Sequence, residues 1–108
     1  MSKKDKLLAD AQKLLQKGQA EKAINCYLEA LAADPADLRV RQRLAELLAK
    51  YRRVDEARKE FETIGKNLTA NGFYMKAIAV YKQIEKLFPD DIAIALTLAG
   101  LKIGRAHV

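Results

Sequence analysis

Apolar residues along this chain recur at three- and four-residue spacing, and no stretch alternates as a half-buried strand would. The pattern predicts an all-α chain of six helices. The first covers residues 3–17, with Leu7, Ala11, Leu14 and Leu15 as its apolar stripe, and Gly18 ends it where a left-handed residue is wanted. The second covers residues 20–32. Asp34-Pro35 then breaks the chain, and a third helix follows to residue 50. Arg52-Arg53-Val54 turns into a fourth, which stops at Asn71-Gly72. A fifth spans residues 73–87 before Pro89, and Asp90 and Asp91 suit the positive start of a sixth over 92–101. The connections are short, so neighbouring helices should pack antiparallel.

The pattern also repeats. Ala23, Tyr27, Ala30 and Pro35 have the same separations as Ala77, Tyr81, Ile84 and Pro89. The first three of each set share one helix face. There the small residue admits a neighbouring helix and the aromatic fills the gap beside it. A second phrase, a large aliphatic followed by a small residue, occurs as Leu44-Ala45, Ile64-Gly65 and Leu98-Ala99. Leu48 and Leu68 follow the first two of these pairs.

Together these phrases resemble the tetratricopeptide repeat, a pair of antiparallel helices of about 34 residues. Residues 61–89 carry Phe61, Ile64, Gly65, Leu68, Gly72, Ala77, Tyr81 and Pro89 in the order of that family. Residues 7–35 carry Ala11, Leu14, Gly18, Ala23, Tyr27, Ala30 and Pro35, and depart from it at Asp10, where an aliphatic is usual. The resemblance implies a helix-turn-helix array, a right-handed α-solenoid. Its units lie at about 4–37 and 58–91, around an irregular 38–57, with a further unit starting over 92–102. The two prolines are 54 residues apart, 14 short of two full repeats. Ala57, Phe61 and Ile64 fit the second-helix phrase, while Phe61, Ile64 and Gly65 begin the first-helix phrase. The fourth helix is therefore expected to serve two units.

Composition sharpens this picture at three points. Ala, Leu, Lys, Glu and Arg dominate, with two Pro and no Trp, which favours helices. The lone Cys26 cannot form an internal disulfide, and residues 1–12 have charge without the apolar core of a signal peptide. The longest apolar run, IAIALTLAGL, is about half a bilayer span. A cytoplasmic protein without membrane insertion is expected. The net charge of +6 suggests acidic partners. Its densest basic stretch holds Arg39, Arg41, Arg43, Arg52, Arg53 and Arg58, with only Tyr51 nearby as a stacking aromatic. A solvated helix face explains it better than nucleic-acid binding.

Nothing points to catalysis. The only histidine is His107, so neither a hydrolytic triad nor a zinc site can be assembled. The glycines are scattered helix terminators, and Cys26 sits among core markers. No cofactor, metal, small-molecule substrate or catalytic residue is expected. The resemblance instead implies a protein-interaction scaffold, whose concave groove is lined by the first helix of each pair and holds a peptide or partner protein. The expected lining residues are Gln12, Gln16, Arg39, Gln42, Arg43, Glu46 and Lys50. Relatives that grip a chaperone's terminal carboxylate use Lys and Asn on successive first helices. Leu8 and Gln12 stand at the first of those places, which argues against such a clamp. The alternatives are a structural spacer for a further domain and a nucleic-acid adaptor using the third helix.

The ending is unusual. One back-translation of KIGRAHV contains AGATCGGAAGAGCACACGTC, which looks like a short-read sequencing adapter. Residues 103–108 are therefore expected to be adapter read-through at the end of a fragment of a bacterial protein, and different codons there would remove the idea. The sixth helix is apolar nearly all round. Whichever of Ile92, Ile94, Leu96 and Leu98 the fifth helix leaves uncovered should promote self-association.

Overall fold

The computed structural model describes residues 2–106, and side chains as far as residue 103. Among the described residues the chain is six helices: α1 (Lys3–Gln16), α2 (Ala20–Ala33), α3 (Leu38–Lys50), α4 (Val54–Ala70), α5 (Tyr74–Leu87) and α6 (Ile92–Ala106). They pack pairwise in sequence order. The chain forms two compact units, Met1–Ala57 and Arg58–Val108, with the boundary inside α4. Every expected helix is present. α6 continues five residues past the apolar run, because no proline follows Leu101 to stop it. His107 and Val108, at the end of the suspected adapter stretch, lie outside the described residues.

In the first unit α2 packs against both α1 and α3. Ala11, Ala23, Ile24, Ala30, Leu44, Ala45 and Ala57 are fully buried, and Tyr27 nearly so. In the second unit α5 packs against α6, with Ala77, Tyr81, Ile84, Ile94 and Leu98 in the core. Gly65 of α4 lies directly under the Tyr81 ring: a Cβ on Gly65 would come within 2.7 Å of Tyr81 Cε2. The small residue of the second phrase is thus what lets the aromatic of the first lie down. Ala99 departs from this rule, because it is exposed on α6.

Three helix–helix turns share one geometry. Gln19 N–H donates to Leu14 O at 2.8 Å, Arg53 N–H to Leu48 O at 2.8 Å and Phe73 N–H to Leu68 O at 2.9 Å. Each closes a six-to-one loop over a left-handed residue. That residue is Gly18 or Gly72 in two turns, with φ of 75° and 80°, and Arg52 in the third, with φ of 67°.

The helices that follow the prolines share a second device. Asp37 accepts from Val40 N–H and so caps α3, and Asp91 accepts from Ile94 N–H at the start of α6. Each cap also holds a cation from the head of its own unit. Lys4 Nζ lies 2.9 Å from Asp37 Oδ2 and 3.0 Å from Asp34 Oδ2, and Arg58 Nη1 lies 2.6 Å from Asp91 Oδ2. Lys4 and Arg58 are themselves separated by the 54-residue shift of the prolines.

Candidate functional site

Helix α3 has a buried face and a solvent face. Val40, Leu44, Ala45, Leu47 and Leu48 are buried. By the helical period, Arg39, Arg43, Glu46 and Lys50 then fall on the opposite stripe, and all four are exposed. Half-buried Gln42 flanks the stripe. Two surface depressions run along it. One is lined by Leu38, Arg39, Gln42, Arg43 and Glu46. The other is lined by Leu15, Tyr27, Arg43, Glu46, Leu47 and Lys50, so the two share Arg43 and Glu46. The structure therefore brings together five of the seven expected groove residues. Gln12 and Gln16 are exposed on α1, flanking the Leu15 that borders the second depression.

Three cations and one carboxylate give this stripe an excess of positive charge. The Lys50 ammonium lies 5.7 Å from the centre of the Tyr51 ring. Three other arginines of the basic stretch are engaged elsewhere. Arg41 Nη2 donates to Pro35 O at 2.9 Å, Arg53 bonds Glu21 and Glu56, and Arg58 bonds Glu62 and Asp91.

The second unit carries its own depression, lined by Lys66, Thr69, Ala70, Tyr74, Tyr81, Thr97, Gly100 and Leu101. A shift of 54 residues maps Gln12, Gln16, Tyr27, Arg43 and Glu46 onto Lys66, Ala70, Tyr81, Thr97 and Gly100. These are equivalent places beside equivalent tyrosines, and reading the sequence for polar side chains missed them. The proline spacing was the signal that could have found them. Chemically the second depression is blander. The Thr69 and Thr97 hydroxyls donate to the carbonyls of Gly65 and Ala93 at 2.8 and 2.9 Å, and so turn into their own helices. Burial, and secondarily the Glu62 charge, push the Tyr81 phenol up from its ordinary value, which keeps it neutral.

Among the described residues no cluster of His, Cys, Asp or Glu could hold a metal ion. Burial pushes the Cys26 thiol up, and Asp10 and Glu29 add to the shift, so the thiolate is scarce at neutral pH. Asp10 is half-buried, whereas Ile64, its counterpart 54 residues on, is in the core. No helix among the described residues is long and apolar enough to cross a membrane.

The model of the tetratricopeptide repeat family matches residues 14–70, more than half of the chain. The chain belongs to the tetratricopeptide repeat family. Its fold is similar to a solved structure described as the first TPR of Spaghetti (RPAP3) bound to the HSP90 peptide SRMEEVD. The TM-score is 0.54 at 18% identity, covering 96% of this chain and 94% of that one. A search of curated proteins returns no match. As a tetratricopeptide repeat protein, the chain has a fold of a generally non-catalytic class that typically mediates protein–protein interaction. The repeat's residues sit where its packing needs them: Ala23 with Tyr27 in one hairpin and Ala77 with Tyr81 in another, all four buried.

Proposed function

We propose that this chain is a protein-binding scaffold that holds an acidic partner segment on the solvent face of α3. The observation that carries the reading is the pair of adjoining depressions sharing Arg43 and Glu46, with Arg39 and Lys50 at their ends. Their cations face solvent while the other side of the same helix is packed. Such a face can change partners without disturbing the core. Gln12 and Gln16 extend the surface along α1. The structural relative holds a peptide with three acidic residues, which supports an acidic occupant. The Leu8 and Gln12 departures mean that the peptide's terminal carboxylate is not the expected anchor.

The nucleic-acid alternative loses ground, because Arg41, Arg53 and Arg58 are engaged within the protein. The spacer alternative predicts no preferred ligand at all. A peptide-display selection against the immobilised chain separates the three. Acidic peptides should be enriched. Arg39→Glu with Arg43→Glu should lower their affinity about tenfold, or ~1.4 kcal/mol, with an unchanged helical signal. Peptides without acidic bias, or binding indifferent to the double change, would count against the groove. Steeply salt-dependent binding of generic RNA would favour the nucleic-acid reading instead.

A further inference from the structure

On the solvent face of α3, Arg39, Arg43 and Lys50 accompany one carboxylate, Glu46, which borders both depressions. Arg43 and Lys50 lie three and four residues from Glu46, the spacings at which helical ion pairs form. Neither closes such a pair. Among the described residues Arg39, Arg43 and Glu46 have no ion pair or side-chain hydrogen bond, and the Lys50 ammonium lies over the Tyr51 ring. At the same spacings Arg53 does pair with Glu56 and Arg58 with Glu62, both at 2.7 Å. Packing does not need the α3 charges either. The 54-residue shift maps Arg39, Arg43 and Glu46 onto Ala93, Thr97 and Gly100, none of them charged. A depression still forms there beside Tyr81, as it does beside Tyr27.

The two depressions also differ in lining. The one toward the start of α3 is bordered by Arg39 and Arg43. The one toward its end has Leu15, Tyr27 and Leu47 as an apolar wall. Four residues of a helix rise about 6 Å. An extended segment advances about 3.3 Å per residue and turns alternate side chains to one side, so two of its residues cover about 6.6 Å. Steps of four on α3, from Arg39 to Arg43 to Leu47, therefore match steps of two on an extended ligand. An acid at the first or second step meets a guanidinium. An acid at the third step meets the carboxylate of Glu46, the neighbour of Leu47, within the screening length of about 8 Å. An apolar side chain at that step meets Leu15, Tyr27 and Leu47 instead.

We propose that the α3 face selects extended segments carrying acid, acid and apolar side chains at alternate positions, read from the start of α3 toward its end, and that Glu46 is the residue that rejects a third acid. This rests on α3 being a site for acidic segments, and it adds a register and an exclusion. The guanidiniums of Arg39 and Arg43 supply attraction at two steps, and Glu46 supplies repulsion at the third. Discrimination between similar ligands comes as much from such a repulsive contact as from the attractive ones. The intervening side chains of the segment point to solvent, so their identity is free.

Fluorescence anisotropy with the 108-residue chain tests this, using labelled peptides blocked at both ends. The peptides carry DADAL, its reverse LADAD, or the all-acidic DADAD, each between the same neutral flanks. One order of the mixed motif should bind about fivefold tighter than DADAD, despite its smaller charge. Glu46→Gln should tighten DADAD about threefold and change the mixed motif by less than about twofold. Its melting temperature should match the parent, because Glu46 is exposed. DADAD binding as tightly as both mixed orders overturns the proposal and leaves the acidic-segment site standing. A Glu46→Gln effect equal on all peptides overturns the role of Glu46 as a filter. Tighter binding of DAAADAAAL, with its groups at helical spacing, overturns the extended register in favour of a helical ligand. Binding of none of these peptides overturns the acidic-segment site itself.

Discussion

At the scale of single residues, the small side chains do the most specific work. Ala23 and Ala77 are fully buried one turn from Tyr27 and Tyr81. Enlarging either to Leu should overpack its hairpin and cost about 1–3 kcal/mol in urea unfolding. Equal stability of both variants to the parent would contradict this packing. The helical glycines Gly65 and Gly100 make a sharper comparison. Alanine favours a helix interior over glycine by up to ~1 kcal/mol. At Gly100 nothing opposes that gain, so Gly100→Ala should raise stability by about 0.5–1 kcal/mol. At Gly65 the new methyl would meet the buried Tyr81 ring, and overpacking outweighs propensity. Gly65→Ala should lower stability by about 1 kcal/mol. The same substitution with opposite signs would separate packing from propensity. Most of this was legible in sequence, because small-large-small spacing on one face is a local signal. The exposure of Ala99 was not legible: Leu98-Ala99 reads like Leu44-Ala45, and only the neighbours differ.

At the scale of elements, turns and caps set where each helix begins and ends. Gly18 and Gly72 announce their left-handed turns, whereas Arg52 adopts the same geometry without the residue type that predicts it. A non-glycine residue there costs about 1–2 kcal/mol, and the added freedom of glycine in the unfolded chain returns part of that. Arg52→Gly should therefore stabilise by about 0.5–1 kcal/mol, seen as a higher urea midpoint with an unchanged slope. The caps add a pH dependence. The Lys4 ammonium and the Val40 amide hold the Asp37 carboxyl below its usual range, and the Arg58 guanidinium and the Ile94 amide do the same for Asp91. A depressed carboxylate contributes stability above its unfolded pKa, about 3.9, and loses it as pH falls through the lower folded value. Lys4 is pushed up to about 12 by Asp37 and Asp34, so its contribution is complete below about 10.4 and lost only as pH rises through about 12. Stability should be flat with respect to these groups from about pH 5 to 9 and fall below about pH 4. Asp37→Asn and Asp91→Asn keep a capping side chain but remove the charge. They should flatten the acid limb of the stability profile, and a limb unchanged in the double variant would sink this account. The acids were readable as helix starts. Their cations were not, because Lys4 precedes Asp37 by 33 residues and no local rule connects them.

At the scale of the whole molecule, one prediction concerns recognition. The proposed recognition on α3 depends on surface charge, so Arg39→Glu with Arg43→Glu should alter ligand affinity while leaving stability within about 0.5 kcal/mol. A change in melting temperature large enough to explain the lost binding would mean that these arginines are structural. The sequence by itself determined a great deal: six helices, their terminators and the two hairpins of the repeat. All of these follow from residue type and from spacing within a few turns. The helical period assigns each side chain to a face, and it put Arg39, Arg43, Glu46 and Lys50 on one stripe of α3, with half-buried Gln42 beside it. Only the tertiary structure decided which faces are covered. It buried Ile94 and Leu98 and left Ile92 and Leu96 in solvent, within a run where all four look alike. It also paired Lys4 with Asp37 and Arg58 with Asp91, and opened the second depression beside Tyr81. The physical reason is that a helix's own hydrogen bonds depend on neighbours three and four residues away. Burial and ion pairing depend on which distant segment arrives against each face, and that information is not carried by any single element.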